Sequence, residues 1–305
     1  MNLDRQQLET FSIVVDMRHF GRAARALNIS RGAVSQRIIA LEGALGTPLI
    51  VRDGVVPTPA GEVLLNHIQA LKVLEADTLR RIKPESQGWT RITIAVNADS
   101  LATWFEPVAC AIARQNFALE LKVDDQDYTL SVLTRGQAMG CISTSSTPPT
   151  GFVAEHLGAM EYECVAARAF SATYFSGGHS LHQFLAAPAV LFNEKDGLHG
   201  AFLKRAFGFR VDGYPRHYFP SPVALLAAVR SGAGYGLVPS MQAQPLIESG
   251  ELIVLKPGGK FSVNLYWHHW EVSPPTAASI SEEVIRQARQ VLRQVPADFP
   301  GDGCA

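Results

Sequence analysis

The 305-residue sequence lacks the features that mark several large protein classes. No apolar run approaches the roughly 18 residues that a membrane-spanning helix needs. The opening stretch MNLDRQQLE has no signal-peptide hydrophobic region, so cytoplasmic residence without a membrane partner is expected. Cysteine is scarce. Cys110, Cys141, Cys164 and Cys304 are widely separated, with no CxxC, and are read as reduced and mostly structural; metal binding or redox sensing is the less favoured reading. No GxGxxG follows a strand, and Walker A, GxSxG and HExxH are missing, so an enzyme would have to work without these motifs. What is present, 47% hydrophobic and 18% charged residues, describes a globular protein with two or three substantial cores.

A local absence is more informative. Between Arg18 and Arg37 there are five arginines (18, 22, 25, 31 and 37) and no acid, in a chain of net charge -1. Residues 1–88 hold 11 basic against 9 acidic side chains, and the remainder 16 against 19, so the basic character belongs to the N-terminal part. Such local charge attracts phosphates whatever the global balance.

The same stretch reads as a helix, a tight turn and a second helix. Phe20, Ala23, Ala24 and Leu27 fall at helical spacing. Asn28 suits the left-handed conformation of a tight turn. Ser30 is an N-cap, although Ala33 rules out a capping box. In the second helix Val34, Ile38, Leu41 and Leu45 form an apolar stripe. Its other face presents Ser30, Arg31, Gly32, Ser35, Gln36 and Arg37 as candidate DNA contacts, the geometry that puts a recognition helix into the major groove.

Around this pair, residues 3–16 predict an opening helix that completes the core. Asp53-Gly54 between two short apolar runs predicts a hairpin wing, with Arg52 placed to reach phosphate. Thr58-Pro59 opens a long helix to about residue 83. Leu64, Ile68 and Leu71 lie along one face of that helix and are expected to form a dimer seam, with packing against its own domain as the competing reading.

These residues resemble the N-terminal domain of the LysR-type transcriptional regulators. The match rests on Leu8, Phe11, Ala23-Ala24, Leu27, Ala33-Val34-Ser35, Ile38, Leu41-Glu42, Leu45-Gly46, Leu49 and Arg52. Arg31 stands where the family usually has Gln, and Ile50 replaces a usual Phe. Arg favours guanine where Gln favours adenine. The resemblance implies a winged helix-turn-helix domain (1–58), a linker helix and hinge (59–88), and assembly as a dimer or tetramer on a double-stranded DNA operator. RNA polymerase is a further possible partner.

From Arg91 the pattern changes to strands alternating with helices, which predicts a parallel sheet with helices on both faces. The size suits two subdomains with a cleft at the strand C-terminal ends. This half resembles the α/β periplasmic-binding-protein-like effector domain of the same family. It would span 89–297, with subdomain I at about 89–164 and 269–297, subdomain II at about 165–268, and a tail over 298–305.

Ser100 follows strand ITIAVN at a helix start, where free N–H groups and the dipole favour a carboxylate; a plain cap is the competing reading. Ser221 has the same two readings, and Ser143 and Thr144 end a strand at the same rim. Asp99, Asp124, Asp125, Asp127, Glu194 and Asp196 lie near strand ends and as a group suit a cationic ligand. Asn97 and Asn193 complete the candidate effector set. The segments AVNADSLATW, LGAMEYE, GELIVLKPG and LYWH resemble the lysine- and arginine-responsive ArgP/LysG branch. That implies a basic amino acid as effector, no cofactor, and control of a basic amino acid exporter or related genes.

Three readings remain beside this one: a regulator of the family with another effector, an architectural DNA-binding protein, and an enzyme. The architectural protein leaves the α/β half unexplained. For an enzyme, His268-His269 looks metal-like, but neighbours on a strand point to opposite faces. Ligand-dependent DNA binding would separate a regulator from the architectural protein, and steady turnover of a small molecule would favour an enzyme.

Overall fold

The computed structural model describes residues 3–83, 89–115, 117–124, 129–208, 213–255 and 259–296. At the N-terminus, α1 (Arg5–Met17), α2 (Phe20–Ala26) and α3 (Arg31–Leu45) precede a hairpin of β1 (Ile50–Val51) and β2 (Val56–Pro57). Phe11, Val14, Ala23, Val34, Ile38, Leu41 and Leu49 form their core. The turn residues behave as their chemistry requires. Asn28 is left-handed, and Ser30 Oγ accepts from the Ala33 N–H. The α2 cap is one that the sequence did not announce: His19 Nδ1 accepts from the Gly21 and Arg22 N–H groups.

Thr58 caps the long helix α4 (Pro59–Ile82) by accepting from the Gly61 N–H. Gly61 is required there, because a Cβ would sit 2.2 Å from the Leu49 carbonyl oxygen. The expected seam on α4 is corrected by the structure. Leu64 and Ile68 are buried in the core of their own N-terminal domain, and Leu71 packs against it. The helix is held on two sides: one face closes the winged domain, and further along it meets the effector half. The apolar residues left exposed are Val63, Leu74, Leu79 and Ile82. Val63 and Leu74, about three turns apart, share a face.

The second half is a curled mixed sheet of nine described strands. Its order is β4-β3-β5-β11-β6-β9-β7-β8, with β10 on β6. β3 (Thr90–Asn97), β4 (Phe117–Asp124) and β5 (Gly140–Ser143) run parallel. So do β7 (Ala189–Leu191), β8 (Arg216–Tyr218) and β9 (Tyr235–Pro239). The all-parallel expectation fails only at the joint. The long strands β6 (Phe152–Ala167) and β11 (Phe261–Trp270) pair antiparallel with each other and join the two parallel groups. β10 (Leu252–Val254) pairs antiparallel with β6, at the same joint.

The helices cover both faces. After β3 come α5 (Ala98–Ser100), a π-helical turn over Leu101–Phe105, and α6 (Glu106–Ala113). Then follow α7 (Thr129–Thr134), α8 (Arg168–Tyr174), α9 (Leu181–Ala186), α10 (Leu198–Phe207), α11 (Pro222–Arg230), α12 (Ser240–Glu248) and α13 (Pro275–Val291). One core runs through both subdomains, with Trp267, Tyr162 and Tyr235 among its fully buried side chains. Gly140 lies flat against the Trp267 ring, where a Cβ would come within 2.3 Å of it. No helix among the described residues is long and apolar enough to cross a membrane.

Candidate DNA-binding and effector sites

The open face of α3 carries Arg31, Gly32 and Gln36, all exposed, with Ser35 half-buried beside them. Ser30 spends its hydroxyl oxygen on the helix cap at their foot. Arg52 is exposed on the wing, beyond which Gly54 and Val55 both take positive φ. Arg22 and Arg25 are exposed on α2. Arg37 is a correction. Its guanidinium donates to Thr10 Oγ1 at 3.2 Å and to Gln6 Oε1 at 2.8 Å, both on α1. Three residues after the inward Val34, it lies at the edge of the buried stripe and stitches the helices together. Sequence reasoning also passed over Ile39, which is exposed beside Gln36. An apolar side chain there suits a thymine methyl group.

Two hollows among the described residues differ in character. The larger, about 840 Å3, lies between α4 and the β3–β4 edge and is lined by Lys72, Arg80, Arg91, Glu120 and Lys122. Within it Arg91 pairs with Glu120 at 3.2 Å, and Arg80 lies over the Phe117 ring while its Nη2 has no hydrogen-bond partner among the described residues. The smaller, about 50 Å3, lies at the strand C-terminal ends between the subdomains. Asn97 and Asp99 line it from one side, and Phe192, Asp196, Pro222 and Gln242 from the other. Two buried oxygens of its lining, Asn97 Oδ1 and Gln242 Oε1, have no hydrogen-bond partner among the described residues, and neither do the buried hydroxyls of Ser100 and Ser240, which stand near them in the chain but do not line the hollow. Buried polar groups are nearly always paired, so such a concentration marks a place built for something else to bind.

The helix that opens the cleft starts at Ala98, with Asn97 in the cap position and Ser100 inside the first turn. The free N–H groups of that turn lie where a carboxylate is favoured. Asp99 accepts from the Tyr162 hydroxyl at 2.8 Å, which ties it to the crossover strand β6. Asp196 accepts from the Phe192 and Leu198 N–H groups at 3.1 and 3.0 Å, so it shapes its own loop while lining the cleft.

The other candidates are placed less directly. Asp124 ends β4 in register with Asn97. Asp125 and Asp127 lie outside the described residues. Ser143 Oγ accepts from the Ser145 N–H, and Asn193 Oδ1 from the Lys195 N–H, both local turns. Ser221 caps α11 by accepting from the Ala224 N–H. Ser143, Thr144, Asn193 and Ser221 are not among the residues that line the cleft. The serine and asparagine bonds are those of ordinary loop residues, which satisfy neighbouring N–H groups. Gln242 escaped sequence reasoning, although it stands three residues after strand YGLVP, much as Asp99 stands two after ITIAVN.

Behind the cleft, His199 is buried on α10 and bonded through Nε2 to the Tyr235 hydroxyl at 3.2 Å. Tyr235 donates its own proton to the Phe184 carbonyl, so His199 is the donor to Tyr235 and carries its proton on Nε2. Burial pushes its pKa down to about 3, and Arg216 adds to the effect. His268 and His269 bond to the Ser145 and Trp270 carbonyls. Among the described residues no group of three or more His, Cys, Asp or Glu side chains is placed to hold a metal ion.

Comparison with known proteins follows the same division. Residues 5–62 match the family model for bacterial regulatory helix-turn-helix proteins of the lysR family, and residues 87–289 match the LysR substrate binding domain. The chain is 36% identical to the HTH-type transcriptional regulator ArgP of Aeromonas salmonicida, over 95% of this chain and 98% of that one. The crystal structure of ArgP from Mycobacterium tuberculosis superposes with a TM-score of 0.86 at 34% identity, covering 96% of this chain and 100% of that one. Full-length LysG from Corynebacterium glutamicum, with bound effector Arg, superposes with a TM-score of 0.82 at 32% identity and the same coverage.

Proposed function

The chain belongs to the LysR family of bacterial regulatory helix-turn-helix proteins, in its ArgP/LysG branch, and from that premise we propose that it senses a basic amino acid, lysine or arginine. The observation that carries this reading is the cleft between Asn97, Asp99 and Asp196, with its unpaired buried polar atoms beside a helix start. The bound arginine of the LysG relative supports it.

In this reading the effector carboxylate lies against the first-turn N–H groups of α5 and the Ser100 hydroxyl. The distal cation lies toward Asp99 and the Asp196 loop. Arg31, Gly32, Ser35 and Gln36 read base edges, and Arg52, Arg22 and Arg25 hold phosphates. Two copies pair through the Val63–Leu74 face of α4 and present two recognition helices to a pseudo-palindromic operator. Effector occupancy shifts the angle between the subdomains. That shift reaches the DNA-binding heads through α4, which is bonded to the effector half.

Calorimetry with lysine, arginine and norleucine tests the effector. Norleucine keeps the α-carboxylate and α-ammonium but lacks the distal charge. Lysine or arginine is expected to bind, and norleucine far more weakly. Equal binding of norleucine and lysine contradicts an acidic side-chain pocket. No heat with either basic amino acid, in protein that still binds DNA, removes the effector assignment and leaves the regulator.

A further inference from the structure

Gln242 lies in the first turn of α12, in the second subdomain, and its Nε2 donates to the Ala102 carbonyl of the first at 3.3 Å. The reason this carbonyl is available lies in the sequence. Ala102 belongs to the π-helical turn Leu101–Phe105. A π turn bonds carbonyl i to the N–H of residue i+5, and for Ala102 that residue is Pro107, which has no N–H. The turn therefore leaves one carbonyl to be bonded from across the cleft.

This bond also decides which way the Gln242 amide points. The nitrogen must face Ala102, so Oε1 faces away from it, and that oxygen is buried without a partner among the described residues. Asn97 supplies a matching oxygen from the other side. It is 3% exposed and occupies the cap position of α5, where an asparagine side chain ordinarily accepts from the helix N–H groups. Here it makes no cap bond, and its Oδ1 has no partner among the described residues. Both residues line the same hollow of about 50 Å3. One water molecule needs roughly 10–15 Å3 of such space, so the hollow takes a small polar group.

We propose that Asn97 Oδ1 and Gln242 Oε1 form a two-sided receptor for the α-ammonium group of an amino acid effector, one oxygen from each subdomain. This rests on the amino acid reading above. Two acceptor oxygens suit a donor-only group and repel a carboxylate; an ammonium offers three donors and accepts nothing. The placement also fits the ligand. In an α-amino acid the carboxylate and ammonium share one carbon, and Asn97 immediately precedes the N–H groups of the Ala98–Ser100 turn. Because the oxygens come from different subdomains, an α-ammonium bridges the cleft, and Gln242 couples ligand recognition to the Ala102 bond that already spans it.

The test uses full-length protein with L-lysine and with 6-aminohexanoate, which keeps the carboxylate and distal ammonium but lacks the α-ammonium. The unaltered protein is expected to prefer L-lysine by about a hundredfold or more, since a site built to bond a polar group rejects analogues without it. Gln242→Leu removes the oxygen and is expected to shrink that preference by about tenfold. Gln242→Glu keeps an acceptor oxygen while losing the donor to Ala102, and is expected to restore it. Asn97→Ala, read the same way, is the second arm should Gln242→Leu fail to fold. An undiminished preference in Gln242→Leu and Asn97→Ala overturns the receptor while leaving lysine sensing intact. So does a Gln242→Glu protein that behaves like Gln242→Leu. Absence of lysine and arginine binding to the unaltered protein overturns the effector reading itself, and the receptor with it.

Discussion

The carboxylate of Asp77, on the linker helix α4, caps the start of α13 by accepting from the Thr276 backbone N–H at 3.0 Å and from the Thr276 hydroxyl. Pro274 precedes that helix and makes no side-chain cap bond, so a residue 199 positions away in sequence supplies one. Asp77 is buried, and the bond ties the helix that carries the DNA-binding domain to the effector half. Asn66 adds a second tie by donating to the Thr134 carbonyl at 2.9 Å.

Asp77→Ala is therefore expected to lower stability by about 0.5–2 kcal/mol, the usual range for a lost cap. It should also weaken communication between the two halves. Urea unfolding measures the first effect, and DNA affinity with and without effector the second. Unchanged unfolding, with the effector response of the unaltered protein, would show that the tie carries neither load.

The two arginines of α3 should behave differently. Arg31→Gln is expected to change base preference at one operator position by about 1–3 kcal/mol. Arg37→Ala should cost about 1 kcal/mol of stability through its lost bonds to Thr10 and Gln6, with little change in base preference. Binding to a panel of operator variants, read beside thermal unfolding, separates a reading residue from one that braces the reader.

Self-association should follow exposure on α4. Leu74→Asp puts a charge on the exposed face and is expected to dissociate the dimer while each chain stays folded. Operator affinity then falls because the half-sites are no longer bound together. Leu64→Asp instead buries an unpaired charge in the winged-domain core and is expected to unfold that domain. A folded Leu74→Asp protein that still sediments as a dimer would move the seam elsewhere.

His199 predicts a pH dependence of stability. Its pKa lies near 3 in the folded protein, against about 6.5 unfolded, so the unfolded chain binds the extra proton between those values. Stability is complete above about pH 6.5 and falls as pH drops toward 3, by up to about 1.4 kcal/mol per pH unit for this one group. His199→Gln is expected to flatten that slope, whatever it does to stability at neutral pH. An unaltered slope between pH 6 and 4 would mean that the ring is hydrated in the native state.

The sequence alone determined what depends on near neighbours along the chain. Helix spacing at Val34, Ile38 and Leu41, the left-handed Asn28, the Ser30 and Thr58 caps and the Asp53-Gly54 turn are local effects, and all are read directly from residue type. The cluster of arginines without acids marked the DNA-binding part for the same reason. Asn97, which ends the apolar strand β3, and Asp99, two residues on, stand where the sequence pattern put a cleft, and both line the hollow there.

Tertiary structure decided which of several equivalent surfaces met what. Leu64 and Leu74 are both leucines on one amphipathic helix, and only the docking of α4 against α1 and the β1–β2 hairpin buries the first and exposes the second. Arg37 looked like its neighbours until α1 supplied acceptors for it. Asp77 met Thr276, and Gln242 met Ala102, across separations of 199 and 140 residues that no local pattern encodes. The physical reason is the same in each case. A side chain's local preference sets its conformation, but its partner is chosen by the close packing of elements that the chain brings together only when it folds.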